Sequence, residues 1–406
     1  MYNGKSREYW FRRTLLVTAL AQVLAGGGLA AGITVGSLLA RDMTGTATAG
    51  GLPIAVFTLG SALAAWLVGK ASQKYGRRKG LSAGFYTGAI GSLAVVAAAA
   101  SGHFLLLLPA LFIYGAGMAT NLQARFAGTD LAAENQRATA ISLVLVATTF
   151  GAVAGPFLVD VTGNAAAFIG LPPLSGPFLF AAFAYAGAGL ILTVFLRPEP
   201  MELARKLSTP AVEETVSAPA VRTGLFAGVF IMVLSHFIMV AIMTMTPIHM
   251  EGHGHHLQAV GLVIGLHIGA MYLPSLVTGR LIDRLGRRVM TAAAGVILLI
   301  SGVMAALAGP SFFLITTALI LLGIGWNIGL ISGTTVIVDS APPKERAAVQ
   351  GRADIFVALS GASGGALSGM VVAGTSFPFL AAAGGLLSLL LLPLVFPKKR
   401  ILPVQS

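Results

Sequence analysis

The chain has 406 residues, of which 56% are hydrophobic and only 10% charged, and its mean hydropathy is +0.86. No soluble domain of this length shows that balance, so a water-soluble enzyme or regulator is excluded. The formal net charge of +12 does not indicate nucleic acid, because the basic residues fall in short clusters between long apolar stretches, as in loops that orient a membrane protein.

A bilayer-spanning helix needs about 20 mainly apolar residues. Twelve stretches meet that length, at 14–40, 50–70, 80–100, 103–124, 138–160, 175–196, 224–249, 257–280, 289–308, 311–333, 347–373 and 376–396. The predicted fold class is an all-α membrane protein with twelve transmembrane helices in two six-helix pseudo-symmetric halves. The 51 glycines suit closely packed membrane helices. Arg12 and Arg13 precede a first apolar stretch too long for a signal-peptide core and without a clear cleavage site, so span 1 is expected to stay. Lys70, Lys74, Arg77, Arg78 and Lys79 lie between spans 2 and 3, and Arg125 and Arg137 flank the 4–5 loop. Arg197, Arg205, Lys206 and Arg222 fill the 6–7 connection, Arg280, Arg284, Arg287 and Arg288 the 8–9 loop, and Lys344, Arg346 and Arg352 surround the 10–11 loop. Lys398, Lys399 and Arg400 close the chain, and only Arg41 falls on the opposite side. The positive-inside rule then predicts a multi-pass protein of the lipid bilayer with both termini cytoplasmic.

In span 5, Gly151-(x3)-Gly155-Pro156 resembles part of the glycine-proline motif of drug–proton antiporters, but Phe157 and Leu158 replace its trailing glycines. A close-packed, slightly bent helix is the expectation there. Asp160 is expected near the outer end of span 5 and Asp354 near the inner end of span 11, beside Arg352, so no acid is expected at the midplane. The longest polar stretch, 197–223, divides the chain into an N-terminal six-helix bundle (1–196), a cytoplasmic linker (197–223) and a C-terminal six-helix bundle (224–406). The halves echo each other. Gly69-(x6)-Gly76-Arg77-Arg78 recurs as Gly279-(x6)-Gly286-Arg287-Arg288, and Asp130-(x6)-Arg137-Ala138 recurs as Asp339-(x6)-Arg346-Ala347. Parallel repeats of this kind put a substrate site near the midplane between the halves, which rock to give alternating access.

Spans 7 and 8 carry the chemistry. Met239-x-x-x-Met243 and His267-x-x-x-Met271 each place two ligands one above the other on a helix face. Thioether and imidazole suit Cu(I). The connecting loop holds His249, Met250, His253, His255 and His256, so four of the seven histidines sit in eight residues. They are candidates for gathering an ion at the mouth, and His236 is a candidate deeper relay. A single Met pair is more often packing, since methionine fills irregular gaps. A histidine inside a membrane is a functional candidate.

Gly279-Arg280-Leu281-Ile282-Asp283-Arg284-Leu285-Gly286-Arg287-Arg288 resembles the loop signature of the major facilitator superfamily. The resemblance implies that Asp283 and Arg287, with Arg77 in the first copy, help hold the cytoplasmic side closed. In that copy Gln73 stands where the acid is expected, implying a weaker latch or a hydrogen bond in its place. Within the superfamily, Met239, Met243, His267 and Met271, together with Asn121-Leu122-Gln123-Ala124-Arg125 and Asp130-Leu131-Ala132, resemble the CcoA-like copper importers. That resemblance implies import of copper, as the ion or a small chelate, across a bacterial inner membrane, with a cytoplasmic copper acceptor as a partner. Copper is then a substrate, and no permanently bound cofactor is expected. With no cysteine in the chain, thiol chemistry is excluded. No Walker loop, strand-borne GxGxxG or H-E-x-x-H is present, so no enzyme activity is expected. The alternative is a proton-coupled small-molecule or drug exporter whose methionine-rich face lines an adaptable pocket.

Overall fold

The computed structural model describes residues 4–44, 51–207, 218–342 and 345–395. The middle of the predicted linker, Lys344 and the basic chain end (Lys398, Lys399, Arg400) lie outside these residues. The described chain is helical, without strands. In the first half run α1 (Arg7–Thr44), α2 (Gly51–Tyr75), α3 (Arg77–Ser101), α4 (Phe104–Ala127), α5 (Arg137–Phe157), α6 (Val159–Phe168) and α7 (Gly176–Phe195). The short α8 (Pro200–Leu207) follows. The second half comprises α9 (Ala218–Gly252), α10 (Leu257–Tyr272), α11 (Ser275–Leu285), α12 (Arg287–Leu307), α13 (Phe312–Ser340), α14 (Arg346–Gly374) and α15 (Phe377–Leu387), the last continued by a 3-10 turn to Val395.

Nine stretches among the described residues are long and apolar enough to cross a membrane, and with α1, α5 and α15 the architecture is consistent with twelve spans. Three predicted spans are not single helices. Span 5 divides at Leu158 into α5 and α6, span 8 divides at Leu273–Pro274 into α10 and α11, and span 12 ends in 3-10 geometry. Pro274 explains the second break, because its nitrogen has no proton for the helical ladder. Asn327 of α13 repairs it, donating from its amide nitrogen to the Met271 carbonyl at 2.7 Å and to the Ser275 hydroxyl at 2.6 Å.

Each half has its own apolar core. The first is built on Phe85, Tyr114, Phe178 and Tyr185. The second is built on Leu298, Leu319, Leu322 and Trp326, with Ile141 and Leu145 of α5 added to it. The small residues let backbones touch: a Cβ on Gly151 would lie 2.0 Å from the Val23 carbonyl oxygen of α1. The sequence echo is also a structural one. Gly76 and Gly286 make the same turn, at φ 92 and 90°, and each caps the helix after it.

Candidate substrate site and gate

Helix α13 is the post on which the second half is assembled. Both α9 and α10 pack along it, while their direct contact with each other is slight. Met239 and Met271 are buried in the core around α13 and Met243 is half-buried at its edge. His267 is fully buried, and its Nδ1 lies 2.7 Å from the Leu319 carbonyl oxygen of α13. A carbonyl only accepts, so Nδ1 carries the proton and Nε2 keeps a lone pair. That Nε2 is buried and has no hydrogen-bond partner. Metal-binding histidines are commonly oriented in this way, with one nitrogen fixed by a carbonyl and the other left for the ion.

His236 is set the other way. The Trp326 indole nitrogen donates to its Nδ1 at 2.9 Å. The ring's remaining nitrogen is then protonated and faces Gly361 of α14, where an added Cβ would approach it to 2.8 Å. In this conformation His236 offers a metal no lone pair. Tyr272 meets the same indole edge-on, with ring centroids 5.7 Å apart. His236, Trp326 and Tyr272 thus form an aromatic group spanning α9, α10 and α13.

The residues expected in the connecting loop diverge, and His249 and Met250 lie in the last turns of α9 rather than in a loop. His249 stacks on Phe377, with centroids 4.2 Å apart, and lies 4.3 Å from the His253 ring. His253 Nδ1 lies 2.8 Å from the His249 carbonyl oxygen, and His255 Nε2 lies 3.1 Å from the Pro310 carbonyl oxygen. His256 is exposed just before α10, whereas Met250 is buried in the core and turned away from solvent. Among the described residues no three His, Cys, Asp or Glu side chains are grouped to hold a metal. A metal site here therefore depends on thioethers.

At the end that carries the basic loops the halves are locked together. Asp283 accepts from the Ala138 and Thr139 backbone nitrogens at 3.2 and 2.9 Å, and from the Thr139 hydroxyl at 2.7 Å, capping α5 of the opposite half. Gln73 makes the symmetric contact, its side-chain oxygen accepting from the Ala347 nitrogen of α14 at 3.1 Å. Arg287 binds Asp339 at 3.0 Å and donates to the Glu134 carbonyl, and Asp339 also binds Arg137 across the halves at 2.6 Å. Arg77 pairs with Asp130 at 3.0 Å and reaches Gln350 of α14. Asp283, Arg287 and Arg77 thus each contribute to the contacts that latch the halves together at this end.

The Major Facilitator Superfamily model matches residues 18–274 and 230–405. The chain belongs to the major facilitator superfamily. It is 56% identical over 393 residues to the MFS-type transporter YdeG of Bacillus subtilis (strain 168), covering 95% of this chain and 91% of that protein. It is also 30% identical over 348 residues to the riboflavin transporter RfnT of Brucella anthropi (strain ATCC 49188), covering 85% of each. Among solved structures it resembles the human organic anion transporter MFSD10 (TETRAN), with a TM-score of 0.77, 18% identity, and coverage of 95% of this chain and 99% of that one.

Two features of this facilitator chain have no counterpart in the sequence reading. Trp326 lies in an apolar run with no motif around it, and only the fold brings it to His236. Asp354 does not sit beside Arg352. It faces Arg125 of the other half, with Oδ1 2.6 Å from Nη2, because Gln350, Asp354 and Val357 share the buried face of α14 while Arg352 is exposed. A face-by-face reading of span 11 would have separated Asp354 from Arg352, although only the fold brings it to Arg125.

Proposed function

We propose that this facilitator is a copper importer of a bacterial cytoplasmic membrane, with both termini in the cytoplasm and copper, as Cu(I), as its substrate. The observation that carries this reading is the His267 ring, held through Nδ1 by Leu319 with a buried, unpartnered Nε2. Met271 follows on the same helix face, and Met239 and Met243 form a thioether pair along α9. Since α9 and α10 meet through α13, the pairs act as two stations that pass the ion along. His249, His253, His255 and His256 gather it at the mouth, and the latch at the basic end keeps the cytoplasmic side shut while the ion loads.

Uptake of radiolabelled copper under reducing conditions tests the site. At matched membrane levels, His267→Ala and Met271→Leu should each abolish protein-dependent accumulation, and Ag(I) should compete in the parent protein. Normal accumulation in both variants would sink the assignment.

One observation favours a second reading, transport of a planar heteroaromatic molecule. The Trp326, Tyr272 and His236 group offers aromatic faces and a polar edge, and RfnT, a riboflavin transporter, is a relative over most of the chain. Riboflavin uptake measured in the same cells separates the two. Under this reading uptake follows Trp326 and is insensitive to Ag(I).

A further inference from the structure

The Arg125–Asp354 pair belongs neither to the ligand stations nor to the latch. Arg125, near the end of α4, grips Asp354 with both terminal nitrogens, at 2.6 and 3.4 Å. It also donates to the Thr334 hydroxyl at 3.2 Å and to the Leu122 carbonyl. Both side chains are buried, with 0% and 2% of their surface exposed. Asp354 lies about 12 Å along α14 from its first residue, at the usual rise per residue. Of the other described acids only Asp130 is also buried, and it sits beyond α4 in the latch.

The pair joins the two halves. Alternating access requires α4 to part from α13 and α14, so the pair must open in every cycle. Opening a buried ion pair leaves two uncompensated charges in a poorly polarisable interior. A proton placed on the carboxylate removes one of them, and the freed guanidinium keeps its bonds to Thr334 or Leu122, whichever side it follows. We propose that Asp354 is the proton-binding site of this carrier. One proton bound at its carboxylate oxygen releases Arg125 and lets the basic end open, and loss of that proton re-forms the pair and closes it. This rests on the chain being an alternating-access carrier and is independent of its cargo.

The groups facing Asp354 are few. Arg125 comes from α4 and Thr334 from α13, while Arg77 at the start of α3 reaches Gln350 one turn away. Along α2 the facing positions are Ala65 and Gly69 against Gly351, with Lys70 and Lys74 exposed. From α9, His236 packs against Gly361, about two turns further along α14. The sign follows directly. The closed basic end holds Asp354 ionised, so high pH favours that state and acid favours the opposite one.

The absence of cysteine allows a direct test. Spin labels at Asn164→Cys, on α6, and Glu251→Cys, at the end of α9, lie on opposite halves at the end away from the latch. Their distance distribution is measured in lipid between pH 8 and 5.5 without substrate. Acid should increase the short-distance population several-fold in the parent. Asp354→Asn should show that population at every pH, and Asp354→Glu should retain the response. A parent distribution that ignores pH overturns the proposal whether or not the variants fold. So does an Asp354→Asn protein that keeps the parent's pH response, which would point to His236. A failure of copper uptake leaves these outcomes unchanged.

Discussion

His236 and His267 occupy neighbouring helices, yet a single hydrogen bond sets each to a different chemistry. A backbone carbonyl fixes the proton of His267 on Nδ1 and exposes a lone pair, whereas an indole donor consumes the corresponding lone pair of His236. The two readings of the cargo therefore rest on different residues and can be separated. Trp326→Phe keeps an aromatic ring but removes the N–H and part of the indole, leaving the His236 acceptor unpaired at a cost of about 1–3 kcal/mol. Copper accumulation should stay within about twofold, since no thioether or lone pair of the stations changes. Riboflavin uptake, if present, should fall by up to about tenfold. Parallel uptake of both compounds by this one variant decides which site carries cargo.

At the scale of helices, the ligand pairs were legible because four-residue spacing defines a face. Their partners were not, because spacing says nothing about what a face meets. The spacing left open whether Met239/Met243 and His267/Met271 meet at one site, and in the structure both helices pack along α13 with little direct contact. The same blindness put Asp354 beside its sequence neighbour Arg352. The loop residues at the basic end stood out because they recur in both halves, and Gln73 accepts a hydrogen bond there, but the capping of α5 by Asp283 and the pairs made by Asp339 could not be read from the repeat. The packing of the proposed copper station on α13 gives a prediction that touches no ligand. A Cβ on Gly323 would lie 2.7 Å from the His267 carbonyl oxygen and 3.0 Å from the Met271 nitrogen. Gly323→Ala must push α10 away from α13, and overpacking of this kind costs about 1–3 kcal/mol. Copper uptake should drop at least severalfold with membrane insertion retained. Unchanged uptake at matched levels would mean that the α10 pair does not need this packing.

The turn glycines test the repeat at the same scale. An alanine at either Gly76 or Gly286 is forced into a backbone region open essentially to glycine, costing about 1–3 kcal/mol. At Gly286 that is the whole penalty, because nothing lies within 4 Å of the added carbon. At Gly76 the carbon would meet the Glu199 carboxylate at 2.4 Å and dislodge its bond to the Arg77 nitrogen, now 2.6 Å long. Thermal unfolding in detergent should therefore shift further for Gly76→Ala than for Gly286→Ala.

Across the whole molecule the transport cycle is a competition between two closures, and the latch at the basic end sets one side of it. The fold is pseudo-symmetric but the latch is not: a carboxylate caps α5 and a neutral amide caps α14. A negative charge at a helix N-terminus gains about 0.3–1 kcal/mol over a neutral group. Gln73→Glu restores the symmetry and adds that charge beside the Ala347 nitrogen, near Arg346. The state closed at the basic end should then be about two- to fivefold more populated, and turnover should fall by a similar factor because every cycle has to break the latch. Asp283→Asn acts in reverse and more strongly. It removes a charge and also replaces one of two accepting oxygens, so the bond from the Ala138 nitrogen or those from Thr139 are lost. With the Asn164 and Glu251 labels, Gln73→Glu should lengthen the mean distance and Asp283→Asn should shorten it. If both move the distribution the same way, the amide and the carboxylate are not competing members of one latch. The position of Gln73 would then reflect packing between α2 and α14 alone.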